Sequence, residues 1–340
     1  MTKFALLALS RVLVACAGGG SEEAGCPAID GREINVVATT PMIGEFVSQV
    51  GGEKINLTVL MPPEANPHTY EPAPQDAGTI AEADLVFYTG LLYEPAALVK
   101  LLENSACSTD ILSEVGESVF PIEFKEGGHD DHDDHDDEEG HDDHDDEEGH
   151  DDEEGHDDHE GHNHGAYDPH FWFDPSRVAY AAEYIESRLI EFDPENESSY
   201  KSSADSFVSE LNDLTKQVSE LISTVPSQNR KLITTHESLG YLEAKFGLEV
   251  LSTIIPSLNS ANEISPSDLA GVIDVIEDNN VKVIFIESEA PSVYSETIVA
   301  ETGIKSVTGL YVETLKPGQS YSEFLISNVT LITENLQDTD

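Results

Sequence analysis

From His129 to His164 the chain carries no apolar side chain; every residue is His, Asp, Glu or Gly, apart from Asn163. Such a run has nothing to bury, so it cannot supply a strand or helix to a core. It is expected to be a disordered, solvated loop over 126–166, and the fold must be built from the sequence on either side. Directly after it, Tyr167-Asp168-Pro169-His170-Phe171-Trp172-Phe173-Asp174-Pro175 is dense in aromatics and bracketed by prolines. That is the composition of a segment packed into a folded body.

Outside the run the chain alternates between strand and helix patterns. Short β-branched or apolar runs at 34–39, 55–60, 84–88 and 119–124 read as strands, with helices at 42–50, 75–83 and 95–102 between them. Two helices follow, one over 178–190 and a longer one opened by Asp193-Pro194. The second runs through Tyr200, Phe207, Leu211, Leu214, Val218 and Leu221 to Pro226. Strands at 231–235, 248–255, 281–286 and 304–308 then alternate with helices at 239–246, 266–279, 295–302 and 321–336. The pattern predicts an α/β protein with two lobes of mostly parallel sheet, 30–193 and 227–340, joined by one long helix over 194–226. No sequence repeat relates the lobes.

The first sixteen residues read as an export signal: Lys3, then short apolar stretches at 4–9 and 12–15, too short to span a bilayer. Leu13-Val14-Ala15-Cys16 resembles the lipobox of prokaryotic lipoproteins, although Arg11 interrupts the apolar run. The resemblance implies lipidation of Cys16, with 17–29 as a flexible tether and the body held at the outer face of a membrane. Two cysteines then remain, Cys26 and Cys107. In an exported chain they suggest one disulfide, the alternative being two separate buried thiols.

The charge narrows the choice of partner. The chain has 68 acidic and 16 basic residues, a formal net charge of −52. Phosphate contact needs Lys and Arg, so nucleic acid is excluded, and acidic lipid is disfavoured without an anchor. A cationic ligand fits.

Ten of the 13 histidines lie in the acidic run: His129, His132, His135, His141, His144, His150, His156, His159, His162 and His164. The other three each occupy a distinctive setting. His68 follows a strand, in a loop stiffened by Pro62, Pro63, Pro67 and Pro72. His170 lies between Pro169 and the aromatic cluster, with Asp168 and Asp174 nearby as acceptors for an imidazole N–H. His236 ends a strand, and open α/β sheets bind ligands at the carboxyl ends of their strands. Three imidazoles reaching one cleft suit zinc, which takes nitrogen ligands in tetrahedral geometry.

Pro67-His68-Thr69-Tyr70-Glu71-Pro72, the 168–175 block and Thr235-His236-Glu237-Ser238-Leu239-Gly240-Tyr241 resemble the zinc- and manganese-binding solute-binding proteins of ABC importers. Phe285-Ile286-Glu287-Ser288 resembles that family's last-lobe strand. The resemblance spans nearly the whole mature chain, in order. It implies a rigid linking helix and a metal ion in the interlobe cleft on His68, His170 and His236. It also implies delivery to a permease with its ATPase, by a monomer at the outer face of the cytoplasmic membrane or in the periplasm. The fourth ligand is open: many members place an Asp after this strand, whereas Glu287-Ser288-Glu289-Ala290-Pro291-Ser292 has none. Glu287 is nominated, with Glu289 or a water as alternatives. Lack of the Asp and a His at 236 favour Zn²⁺ over Mn²⁺. A His- and acid-rich loop in this place is characteristic of the zinc members, and here it would hold several ions weakly and raise capture rates.

Two rival readings exist. A zinc hydrolase would use three histidines and an open position, with Glu237, Glu287 or Glu289 as base. No His-Glu-x-x-His helix is present, nor any His-x-His pair outside the acidic run, so an enzyme is not expected. A surface zinc store or adhesin would instead make the acidic run its working part.

Overall fold

The computed structural model describes residues 26, 28–29, 31–124, 167–255, 257, 264–288 and 293–337. Cys16 and the export signal, most of the tether, the ten histidines of the acidic run and Glu289 lie outside the described residues.

The first lobe consists of β1 (Ile34–Ala38), α1 (Pro41–Gly51), β2 (Ile55–Val59), α2 (Pro74–Ala81), β3 (Leu85–Tyr88), α3 (Ala96–Ser105) and β4 (Leu112–Glu114). Its four strands form one parallel sheet in the order β2-β1-β3-β4. The central strand β1 is buried along nearly its whole length, which is why it is apolar except at Asn35 rather than alternating. Thr40 caps α1 by accepting the Ile43 N–H, and Pro41 occupies the first turn, where no N–H is needed. One strand differs from expectation. Residues 119–124 do not form the last strand of this lobe. Gly116–Val119 is a short 3₁₀ turn, Phe120 has φ 52°, and Glu123 makes only a single antiparallel bridge to Tyr167. Pro121 has no N–H to donate to a ladder, so a strand there is disfavoured. The sheet instead takes the three-residue β4, which is too short for a period to be visible.

Two helices carry the chain across. In α4 (Pro175–Phe192), Asp174 caps the first turn by accepting the Ser176 N–H. The longer α5 (Glu197–Ser223) has 27 residues and so a length of about 40 Å. Its buried seam is Tyr200, Ala204, Phe207, Leu211, Leu214, Val218 and Ile222, a three-four spacing that faces one way. This seam packs on α1 and α4 of the first part and on the last helix of the second.

The second lobe comprises β5 (Lys231–His236), α6 (Gly240–Phe246), β6 (Glu249–Ile255), α7 (Pro266–Asp278), β7 (Val283–Glu287), α8 (Val293–Thr302), β8 (Lys305–Leu310) and α9 (Tyr321–Gln337). Its strands form two parallel pairs, β5–β6 and β7–β8, set against each other along β5 and β7. One apolar cluster runs through both lobes, from Ile34 and Phe46 through Trp172 and Leu214 to Phe324 and Leu336. The lobes therefore share a core instead of meeting at a wet hinge.

Cys26 and Cys107 are joined in a disulfide across a sequence separation of 81. It ties the start of the described chain to the connection between α3 and β4. A loop of this length predicts that Cys107→Ser lowers oxidised-state stability by about 4.5 kcal/mol on the chain-entropy account. Denaturant melts of the variant beside wild type, with and without reductant, measure it; reductant should bring the two together.

Candidate metal centre

Each cluster residue sits at or beyond the end of a strand, or in or beside a short turn. His68 lies in the turn Pro67–Thr69 after β2, where Asn66 Oδ1 accepts its backbone N–H at 2.9 Å. His170 precedes the turn Phe171–Phe173. Asp168 Oδ1 accepts both its backbone N–H at 2.8 Å and its ring Nδ1–H at 2.7 Å. His236 is the last residue of β5, and Nδ1 of its ring bonds the carboxylate of Glu287, the last residue of β7. Glu287 also accepts the His236 backbone N–H at 3.1 Å and the Ser238 hydroxyl at 3.3 Å. With Nδ1 committed to a carboxylate in both His170 and His236, the tautomer is fixed and Nε2 is the nitrogen turned inward.

Those inward nitrogens converge. One ligand atom from each of His68, His170, His236 and Glu313 falls within a set spanning at most 4.8 Å. Glu313 Oε1 is 2.9 Å from Nε2 of both His68 and His236, and Oε2 is 3.5 Å from Nε2 of His170. The rings of His170 and His236 are fully buried, and their Nε2 atoms have no hydrogen-bond partner of acceptable geometry. Buried polar atoms are nearly always satisfied, so two such nitrogens aimed at one carboxylate mark a place for a cation. His68 is the outermost of the three. Its side chain also borders a cavity of about 840 Å³ lined by Leu92, Glu103, Glu114 and Tyr167.

The electrostatics follow from this crowding. Burial alone would lower the His170 pKa, but Glu313 and Asp168 outweigh it and push it up to about 9. Burial likewise opposes charge on His236, yet Glu287 and Glu313 hold its pKa well above the imidazole range. Glu313, although buried, is held well below the usual carboxylate range by His68, His170 and His236. The carboxylates thus favour a proton on His170 and on His236, at the place where a cation would compete for the same lone pairs.

The three histidines singled out from the sequence are brought together. The nominated carboxylate is not among them: Glu287 stands behind His236, and the acid that faces the cluster is Glu313. Glu313 lies in Tyr311-Val312-Glu313-Thr314, three residues past β8. An acid shortly beyond the carboxyl end of the last strand was the available signal, but the resemblance points to the segment after the preceding strand, 287–292, instead. Trp172 fixes this segment by donating from Nε1 to the Val312 carbonyl at 2.8 Å. Glu237, nominated as a possible base, instead accepts from the Thr253 hydroxyl at 3.1 Å.

Two α/β lobes with a shared core, and a buried cluster of three imidazoles and one carboxylate drawn from both, define a metal-binding protein of the solute-binding type. The chain belongs to the family of zinc-uptake complex component A, periplasmic, whose family model matches residues 36–335. That is a family of transporter substrate-binding components. Among relatives, the manganese ABC transporter substrate-binding lipoprotein PsaA of Streptococcus anginosus is 26% identical over 333 residues, covering 95% of this chain and 94% of that protein. The manganese-binding lipoprotein MntA of Halalkalibacterium halodurans is 22% identical over 339 residues, with 98% of each covered. Among solved structures, the periplasmic zinc-binding protein TroA from Treponema pallidum shares the fold with a TM-score of 0.71 at 20% identity. It covers 90% of this chain and 99% of its own. Fe(III)-bound YtgA from Chlamydia trachomatis gives 0.70 at 24% identity, covering 89% and 98%.

Proposed function

We propose that this chain captures Zn²⁺ outside the cytoplasm and delivers it to an ABC-type permease and its ATPase, with His68, His170, His236 and Glu313 holding the ion. The observation that carries the reading is the pair of buried Nε2 atoms of His170 and His236 that face Glu313 without a hydrogen bond of acceptable geometry. Three nitrogens and one carboxylate oxygen are the donor set of a closed tetrahedral zinc site. An anchor at Cys16 agrees with the lipoprotein names of the relatives, and the chain would act as a monomer. The acidic run would add weak sites that concentrate cations near the cleft. A manganese reading is favoured by the names of the relatives from S. anginosus and H. halodurans. The nitrogen-rich donor set argues against it, since Mn²⁺ prefers oxygen.

A calorimetric titration in buffers of different ionisation enthalpy tests the proposal. One tight Zn²⁺ equivalent is expected, and its binding releases protons because the imidazoles must be neutral to ligate. Since His170 titrates near 9 in the ion-free cluster rather than at 6.5, affinity should keep rising with pH across that interval. The ion-free fold runs the other way. A raised imidazole pKa stabilises the fold below about 6.5, and that contribution is lost as pH climbs through about 9. No tight equivalent, or Mn²⁺ displacing Zn²⁺ at equal concentration, would count against zinc.

A further inference from the structure

Tyr93 belongs to a turn, 90–94, held in an unusual backbone form. Gly90, Leu91 and Leu92 all have positive φ, at 76°, 53° and 61°. For the two leucines this is a steric outlier, which persists only where surrounding contacts impose it. The contacts are present. Buried Glu94 accepts from the Thr39 hydroxyl at 2.7 Å, the Thr89 N–H at 2.7 Å and the Gly90 N–H at 2.9 Å. Glu114 accepts the Leu91 N–H at 2.9 Å.

This turn drives the Tyr93 ring into the cluster. The ring meets His68 edge to face at 5.0 Å, His170 at 5.9 Å and Trp172 at 5.3 Å. Its hydroxyl shares its one proton between Glu313 Oε2 at 2.9 Å and the Glu313 main-chain carbonyl at 3.1 Å. Bonded to both backbone and side chain of one residue, the hydroxyl fixes the plane of that carboxylate. The two oxygens therefore have different duties: Oε1 lies between Nε2 of His68 and His236, while Oε2, 3.5 Å from Nε2 of His170, is engaged by the closer Tyr93 hydroxyl. Wedged between two imidazoles, the ring cannot swing the hydroxyl away without displacing them.

We propose that Tyr93 is the positioning residue that sets metal preference, by engaging Oε2 of Glu313 and so restricting this carboxylate to one coordinating oxygen. The proposal rests on the zinc-binding reading of the cluster. Zinc is content with four ligands, and three imidazoles with one carboxylate oxygen supply them. Manganese favours more ligands and more oxygen, which a carboxylate supplies by using both atoms. Tyr93 withholds the second.

The test uses the full chain carrying Tyr93→Phe, which keeps the ring and removes the hydroxyl. Zinc affinity is read by competition with a chromophoric chelator, and manganese affinity by the loss of the free-ion electron paramagnetic resonance signal. The ratio of the manganese to the zinc dissociation constant should fall by about tenfold, with most of the change in manganese. The spectrum of bound Mn²⁺ should also differ from wild type. Tyr93→Met, which removes the hydroxyl by a different route, should shift the ratio the same way. An unchanged ratio overturns the proposal, including the case in which both ions weaken equally, as loss of packing alone would cause. A wild-type chain that binds no zinc tightly overturns the parent reading and this one with it.

Discussion

Replacing Glu313 by Ala is expected to weaken zinc binding by orders of magnitude, whereas Glu287→Gln weakens it by about 10–100-fold, the range for groups that orient a ligand. The two acids differ in what they touch. Glu313 lies 2.9 Å from Nε2 of His68 and of His236, on the side where the ion would sit. Glu287 bonds the opposite nitrogen of His236 and the backbone N–H of the same residue. Removing Glu313 deletes a charged donor and leaves three imidazoles to hold a divalent ion in a buried space. Glutamine at 287 keeps the shape and an acceptor for Nδ1–H, but it no longer supports the charge that gathers on the ring. Chelator competition on wild type and both variants, with far-ultraviolet circular dichroism to verify the fold, gives the order. A larger loss from Glu287→Gln would move the fourth ligand back to that residue.

Zinc should also raise thermal stability strongly, and only through the cluster. A ligand bound by the folded state alone stabilises it by about 4 kcal/mol at a free concentration a thousand times its dissociation constant. In a chain of this size that corresponds to a rise of roughly 6 °C in Tm. Because one apolar cluster runs through both lobes by way of α5, the whole chain should melt in a single transition that moves as a unit. Differential scanning calorimetry of wild type with zinc, and then with excess chelator, should show the rise and its reversal. The His68→Ala, His170→Ala, His236→Ala triple variant should show no rise. Two separated transitions, or a zinc-dependent rise that survives in the triple variant, would contradict this account.

Much of this was legible in the sequence because it rests on periodicity. The buried strands β1, β3 and β7 are mostly apolar runs, and the seam of α5 keeps its spacing over about six turns. His68, His170 and His236 were legible for a different reason: histidine is scarce outside the acidic run, and each of the three stands in proline-rich or strand-end surroundings. Glu313 was not legible in that way. Acids are everywhere in this chain, so one more carries little information until the fold places it opposite the imidazoles. Tyr93 was hidden for a related reason. Its hydroxyl reaches Glu313 across 220 residues of sequence, a contact that local pattern cannot register. The short strand β4 exists because β3 offers it an edge, and its own three residues show no preference to read.

Trp172 is the sole tryptophan of the chain. Its indole is wholly buried, edge to face with His170 at 5.5 Å and with Tyr93 at 5.3 Å, and it is bonded to the carbonyl of the residue before Glu313. Excited at its red edge, the protein therefore emits from a single chromophore seated beside the metal cluster. Any change in charge there, from imidazolium to metal-bound imidazole, alters the field on that indole directly. The fold thus carries its own optical gauge of occupancy, readable in the unlabelled protein while the ion arrives and leaves.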